Sequence, residues 1–393
     1  MQILLLSAYD ADSHRRWHQG LRAQFPEYQW TLLTLPPRYF SWRIRGNSLS
    51  WSFEQREVLE RPYDLVIATS MTDLSALRGM VPKLAMIPTL VYFHENQFAY
   101  PDNQLQSRPR TSKTRQQLNV EPQMLNLYTA LCGDAIVFNT DYNRQTFLNG
   151  VAELLKKLPD HVPKGVVEQL SVRSTVLPVP LEDACFTPIA CRPEVEQELW
   201  PVRSTAEHQR KHPEQRPLRL LWAARWEFDK GPVLLLAILE ELQRQQVSFQ
   251  LCLLGQKFRQ SPPQFQTIQT AFAAHLVQFG HEPDVHRYRQ WLATADMVLS
   301  TALHEFQGLA VLEAIAAGCT PVLPNRLSYP EIVSHRYLYD VSSSDVDDQA
   351  QQAVACMLDL RTAQEEGMPV PKVERWSWAE QQVRYRQLMM GLV

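Results

Sequence analysis

Ser300-Thr301-Ala302-Leu303-His304-Glu305-Phe306-Gln307-Gly308-Leu309-Ala310-Val311-Leu312-Glu313-Ala314-Ile315-Ala316-Ala317-Gly318 reads as the end of a strand, a loop and a helix bracketed by two glycines. A glycine at a helix start lets a ligand approach free backbone N–H groups, whose positive end favours phosphate. Glu313 lies five residues into this helix, ~7–8 Å along its axis from Gly308. Glu305 in the loop and Glu313 on the helix can therefore flank one nucleotide, Glu305 toward its sugar end and Glu313 toward its ribose. A surface carboxylate beside a helix that merely begins with glycine is the competing reading.

A second segment decides between them. Leu221-Trp222-Ala223-Ala224-Arg225-Trp226-Glu227-Phe228-Asp229-Lys230-Gly231 ends another strand, just before a helix that starts near Gly231-Pro232. Arg225 as a forked guanidinium and Lys230 as a point charge can neutralise a diphosphate leaving group without a metal. Alone, the two cations are better read as solvated loop charges. Beside Glu305 and Glu313 they complete a nucleotide-diphosphate site, with the N–H groups of Gly308 and Leu309 sharing the charge. His281, which follows Gly280 at a strand end, is a weaker candidate facing the same nucleotide.

Outward from these segments, short apolar runs alternate with helical stretches along the whole chain. Strands are expected at 3–7, 30–35, 65–68, 89–93 and 135–138, and again at 218–223, 249–254, 276–279, 297–300 and 320–323. Helices are expected at 14–24, 73–78, 122–132, 231–244, 288–294 and 308–317. Continuously apolar strands in βα alternation imply parallel sheets covered on both faces, hence two doubly wound α/β domains. The expected division is a first domain over 1–186, a linker or mobile excursion over 187–217, a second domain over 218–375 and a helix over 376–393 that crosses back to the first domain. The 187–217 stretch carries five prolines and many charges. Open α/β sheets bind ligands at the carboxyl ends of their strands, so a cleft between two such domains is the default site.

The first domain also ends its strands in polar residues: Ser13-His14 after the first, His94-Glu95-Asn96 after the fourth and Asn139-Thr140 after the fifth. His94 is weighed between a satisfied structural histidine and a catalytic one. Its neighbours Glu95 and Asn96 favour contact with sugar hydroxyls or with the reacting centre. Arg38, Arg43 and Arg45 alternate with Tyr39, Phe40 and Trp42, a pattern suited to phosphates and stacked bases. Arg108, Arg110, Lys113 and Arg115 add cations without an acidic residue between them. Ordinary solvated loops are the alternative for both basic stretches.

Composition bounds the rest. At ~150 residues per domain, 393 residues suggest two or three domains. Residues 1–180 hold 19 Lys and Arg against 16 Asp and Glu, whereas the remainder is acidic, which points the first half toward an anionic partner. A net charge of −3 carries no global nucleic-acid signature. Six cysteines without a CxxC pair or metal-like spacing fit reduced thiols in a cytoplasmic protein. No apolar run approaches the ~20 residues of a membrane span.

With these residues set out, Arg225-x4-Lys230-Gly231 followed by Glu305-x7-Glu313 resembles the retaining glycosyltransferases of family 4, which have the GT-B fold. The resemblance covers most of 218–335, and Ser377-Trp378-Ala379-Glu380 is similar to that family's final crossover helix. It implies two Rossmann-like domains facing a central cleft, with the Arg/Lys pair on the nucleotide diphosphate, the first Glu facing the donor sugar and the second on the ribose. Over the first half, 92–101, 138–140, 13–14, 37–45 and 158–161 resemble the tRNA-queuosine α-mannosyltransferases. That resemblance implies transfer of mannose from GDP-mannose to the cyclopentene diol of queuosine in the anticodon of tRNA-Asp. The family's usual Gly-Gly-Ser-His after the first strand reads Ala11-Asp12-Ser13-His14 here, removing backbone freedom and adding a carboxylate that can meet an acceptor hydroxyl.

The expected enzyme is thus a metal-independent retaining hexosyltransferase. His94, Glu305, Arg225 and Lys230 act at the reacting centre, and Arg225, Lys230, Glu305, Gly308, Leu309, Glu313 and His281 hold the donor. Ser13, His14, Arg38, Trp42, Arg43, Arg45, Glu95, Asn96, Asn139, Arg108, Arg110, Lys113 and Arg115 hold the acceptor. Domain closure is expected to exclude water. The alternatives are the same donor chemistry on a lipid or saccharide, and a non-catalytic protein that binds modified tRNA.

Overall fold

The computed structural model describes residues 1–100, 120–189, 191–201, 216–257 and 261–393. The chain divides into two compact units, Met1–Pro180 with Trp378–Val393, and Leu181–Ser377. The first boundary falls at Pro180, before the 186 expected from sequence.

The first unit holds β1 (Gln2–Ser7), α1 (Asp12–Gln24), β2 (Gln29–Thr34), α2 (Phe40–Glu54), β3 (Leu65–Thr69), α3 (Leu74–Met80), β4 (Thr89–Phe93), α4 (Glu121–Leu131), β5 (Ala135–Phe138), α5 (Asp141–Lys157) and β6 (Ser174–Val176). Its strands form one parallel sheet in the order β2-β1-β3-β4-β5-β6. Ile3, Leu4, Leu5 and Leu6 are fully buried, and so are Val91, Tyr92 and Phe93. This is the two-sided burial that continuous apolar runs require in a parallel sheet.

The second unit holds α6 (Pro193–Leu199), β7 (Leu218–Ala223), α7 (Pro232–Arg244), β8 (Phe249–Leu254), β9 (Leu276–Gly280), α8 (Val285–Thr294), β10 (Met297–Leu299), α9 (Leu309–Ala316), β11 (Thr320–Pro324), β12 (Leu338–Tyr339) and α10 (Val346–Glu365). Its parallel order is β12-β11-β10-β7-β8-β9. The order reverses between β10 and β7, so their adjacent carboxyl ends form the switch point at which open α/β sheets take ligands.

One expectation and one alternative reading are corrected. Part of the expected linker is core: Leu199 and Trp200 are buried in the second unit, and the Trp200 Nε1–H donates to Thr294 Oγ1 at 2.8 Å. Residues 190 and 202–215 of that stretch lie outside the described residues. The Arg38–Arg45 run is not a loop but leads into and begins α2. The last helix, α11 (Trp378–Met390), belongs to the first unit, where the Trp17 indole N–H donates to Tyr385 at 2.9 Å.

Candidate functional site

In the second unit, the loops after β7 and β10 are stitched together by main-chain bonds. The N–H groups of Leu303 and His304 donate to the Asp229 carbonyl at 2.8 and 3.1 Å. Thr301 Oγ1 donates to the Lys230 carbonyl at 2.8 Å and accepts from the Trp222 indole at 3.0 Å. Gly231 makes this approach possible. Its φ is +66°, and a Cβ there would lie 2.0 Å from the Thr301 carbonyl oxygen.

This stitching places Lys230 beside Glu305. The Lys230 Nζ donates to the His304 carbonyl at 2.9 Å and stands 3.2 Å from both Glu305 Oε2 and Asp229 Oδ2. Burial works to lower the Lys230 pKa, but the carboxylates of Glu305 and Asp229 outweigh it and hold the ammonium above its ordinary value. Burial likewise works to raise the Glu305 pKa. The charge and hydrogen bond of Lys230, with backbone N–H donors, overturn that and keep the carboxylate ionised. Arg225 is half-exposed, 2.7 Å from Glu227 and 3.8 Å from Asp229.

Gly308 caps α9 with φ +76° and its N–H is held by the Glu305 carboxylate, so the first-turn N–H groups that a phosphate can use begin at Leu309, four residues after Glu305. Glu313 is buried and accepts from the Tyr288 hydroxyl at 2.8 Å, a partner on α8 that the sequence did not reveal. His281 is exposed immediately after β9. The structure therefore brings Arg225, Lys230, Glu305, Gly308 and Leu309 to one switch point, with Glu313 farther along α9.

The first unit carries a second cluster. α1 presents His14 and His18, four residues apart and so on one face, and His94 follows directly after β4. The rings of His14 and His94 stack with centroids 4.0 Å apart and 19° between planes. Trp17 at 5.0 Å and Tyr92 at 4.7 Å enclose His94 further. Both ring nitrogens of His14 and of His94 are buried without a hydrogen bond, and His14 Nε2 stands 3.5 Å from Glu95 Oε2. Burial pushes the His94 imidazole well below its ordinary pKa, and the charges of His14 and His18 add to this. Asp10, which sequence reasoning missed, accepts from Ser7 at 3.0 Å and pairs with His18 at 3.1 Å. Burial works to raise its pKa, but His18 and Ser7 together bring it below the ordinary value. The spacing of His14 and His18 was the available signal.

Several expected acceptor ligands prove to be scaffold. Asn96 is fully buried; its Nδ2 donates to the Asn143 carbonyl and Oδ1, and its Oδ1 accepts from the N–H groups of Phe98 and Ala99. Asn139 donates to the His94 carbonyl at 2.8 Å and accepts from Asn143. These amides fix the β4 and β5 loops, and Asn96, with its donors and acceptor all engaged, has no capacity left for a ligand. Asp12 turns outward to Arg15 at 3.1 Å, and Ala11 has φ −67°, so the loop that replaces Gly-Gly needs no special backbone. Ser13 is half-buried at the start of α1.

On α2, Trp42 is exposed and Arg43 is buried with Nε unpartnered, while Arg45 pairs with Asp73 at 2.8 Å and Glu121 at 3.2 Å. Arg38 lies over the Tyr39 ring at 5.7 Å. Arg108, Arg110, Lys113 and Arg115 lie outside the described residues. Among the described residues no group of three or more His, Cys, Asp or Glu could hold a metal ion. Among them, too, no helix is long and apolar enough to cross a membrane.

Comparison with known proteins follows this division. Residues 2–181 match the family described as tRNA-queuosine alpha-mannosyltransferase N-terminal, and residues 204–365 match glycosyl transferases group 1. A Drosophila melanogaster relative, tRNA-queuosine alpha-mannosyltransferase, is 31% identical over 348 residues, covering 87% of this chain and 84% of the relative. The fold is shared with sucrose-phosphate synthase from Thermosynechococcus elongatus (TM-score 0.68, 12% identity, 100% of this chain and 98% of that one). It is shared equally with Anabaena HepE in complex with UDP-glucose (TM-score 0.66, 12% identity, all of both chains). These neighbours are GT-B glycosyltransferases, which makes the fold of this chain GT-B.

Proposed function

The chain belongs to the tRNA-queuosine α-mannosyltransferase family, and from that premise we propose that it moves mannose from GDP-mannose to the cyclopentene diol of queuosine in the anticodon of tRNA-Asp. It is a hexosyltransferase whose acceptor is queuosine-containing tRNA. The observation that carries the donor half is the Lys230 ammonium 3.2 Å from Glu305, immediately before the helix that begins at Leu309.

The second unit holds the donor. As the bond between the sugar anomeric carbon and the phosphate oxygen breaks, negative charge gathers on the diphosphate. Lys230, Arg225 and the N–H groups at Leu309 stabilise that charge, which develops fully only in the transition state. Glu305 keeps Lys230 charged and faces the sugar; Glu313, oriented by Tyr288, takes the ribose hydroxyls. The acceptor oxygen bonds to the anomeric carbon on the face the phosphate leaves. Its proton passes to that phosphate, so configuration is retained without a covalent enzyme intermediate.

The first unit receives the diol. Imidazole nitrogens of His14 and His94 and the Glu95 carboxylate are hydrogen-bonding groups that a pair of vicinal hydroxyls, or the hydroxyls of the sugar, can satisfy. The full donor set also argues against a pure binding protein, which needs no group to stabilise a leaving diphosphate. The test is release of GDP from GDP-mannose. It rises severalfold when queuosine-containing tRNA is added and not when unmodified tRNA is substituted. Equal release with unmodified tRNA contradicts the acceptor assignment.

A further inference from the structure

α2 shows two unlike faces. Ile44, Asn47, Ser48 and Trp51 are buried, and Asn47 ties the helix down by donating to the Met71 carbonyl and accepting from the Asp73 N–H. On the other side, Tyr39, Trp42, Leu49 and Phe53 are exposed by 72%, 52%, 45% and 80%. Positions 42, 46, 49 and 53 recur at helical spacing, so they form one stripe about 16 Å long. A Cβ on Gly46 would lie 2.5–2.7 Å from three fused-ring atoms of Trp42. The indole therefore lies with one face on the helix backbone and the other outward, and glycine is what permits it.

An anchored helix that holds a flat indole in solvent, with two further large apolar side chains in line, marks an interaction surface. Charge narrows its occupant: Arg43 is buried, Arg45 pairs with Asp73 and Glu121 and Arg56 with Glu60, whereas Arg38, exposed over the Tyr39 ring, supplies a cation at the start of the stripe. An anion with flat apolar faces suits both features, as single-stranded RNA does by stacking bases on aromatic rings beside cations. The start of α2 also abuts the histidine cluster, since Phe40 packs on Tyr9 at 5.8 Å and Tyr9 precedes Asp10, the partner of His18.

We propose that the Trp42–Leu49–Phe53 face of α2 is a base-stacking platform for unpaired nucleotides flanking the modified one. This rests on the tRNA acceptor proposed above. Its test is the affinity of the full chain for queuosine-containing tRNA, measured alongside its affinity for GDP. Trp42→Ala and Phe53→Ala are expected to weaken tRNA binding roughly ten- to hundredfold at unchanged GDP affinity. They raise KM for tRNA by the same factor, and Trp42→Phe recovers most of the loss. Wild-type affinity for tRNA in both alanine variants overturns the platform while leaving the acceptor assignment intact. Failure of the unsubstituted chain to bind tRNA overturns both. Loss of binding to phosphatidylserine vesicles in Trp42→Ala, or loss of self-association in Phe53→Ala, with tRNA binding preserved, assigns the stripe to a lipid surface or to a second copy and also overturns it.

Discussion

The imidazole rings of His14 and His94 stack at 4.0 Å, and neither has a hydrogen-bonding partner for its ring nitrogens. Two imidazolium charges at that separation repel, and burial penalises each, so the stack is stable with His94 neutral. In the unfolded chain an ordinary histidine titrates near 6.5, whereas folded His94 titrates well below that.

The sign of the pH dependence follows. Below about pH 6.5 the unfolded chain takes up a proton that folded His94 refuses, so stability falls as pH drops from there toward the folded pKa. Asp10 acts in a lower window: its folded pKa is depressed below 3.8, so its contribution is lost only as pH falls through that lowered value. Denaturant midpoints between pH 7 and 5 are expected to decline for the unsubstituted chain and to flatten in His94→Gln. An unchanged slope in that variant contradicts the assignment.

Removing the Lys230 ammonium should cost both stability and rate. Lys230→Met leaves Glu305 and Asp229 facing each other without their cation, a loss of roughly 3 kcal/mol for a buried pair broken on one side. Transfer is expected to fall by about 10²–10³-fold, the usual effect of deleting one charge-stabilising donor. Glu305→Gln should retain more stability than Lys230→Met, because a neutral amide replaces the carboxylate. Urea melts and initial rates at saturating tRNA check both.

Gly231→Ala tests the joint between the β7 and β10 loops. The left-handed φ alone costs about 1–2 kcal/mol for an L-residue, and the Cβ would sit 2.0 Å from the Thr301 carbonyl. The variant is expected to be destabilised by more than the dihedral cost and to bind GDP more weakly, because Lys230 precedes the displaced residue. Unaltered GDP affinity at reduced stability contradicts the claim that this joint sets the lysine.

Tyr385→Phe tests what α11 contributes to the first unit. The Tyr385 hydroxyl accepts from Trp17 and donates to the Pro178 carbonyl, and Trp17 and Tyr92 both border His94. Leaving the Trp17 N–H unpartnered and buried is expected to destabilise by about 1–3 kcal/mol. If α11 also holds the histidine box in place, kcat falls while the KM for donor stays constant. A purely structural role lowers stability alone.

Much of this was legible in the sequence. The strands were, because parallel strands buried on both faces are continuous apolar runs. The juxtaposition in the second unit was, because Arg225, Lys230 and Glu305 fall after strand ends and Gly308 at a helix start. α2 was not. With Ile44 and Trp51 facing in and Trp42, Leu49 and Phe53 facing out, it has apolar residues on both sides and no amphipathic period. Asn96 was misread because a polar residue at a strand end is the signature of a ligand contact and of a loop anchor alike. Asn143, which decides between them, arrives from another helix. The Tyr288 partner of Glu313 is likewise a tertiary contact with no local signal.

Mass analysis of the anticodon nucleoside, after incubating the protein with GDP-mannose and queuosine-containing tRNA-Asp, tests the central claim most directly. The account predicts a hexose-sized gain on queuosine that is absent with unmodified tRNA and strongly reduced in Lys230→Ala and Glu305→Ala. Queuosine of unchanged mass, with the hexose recovered free or on another acceptor, would contradict it.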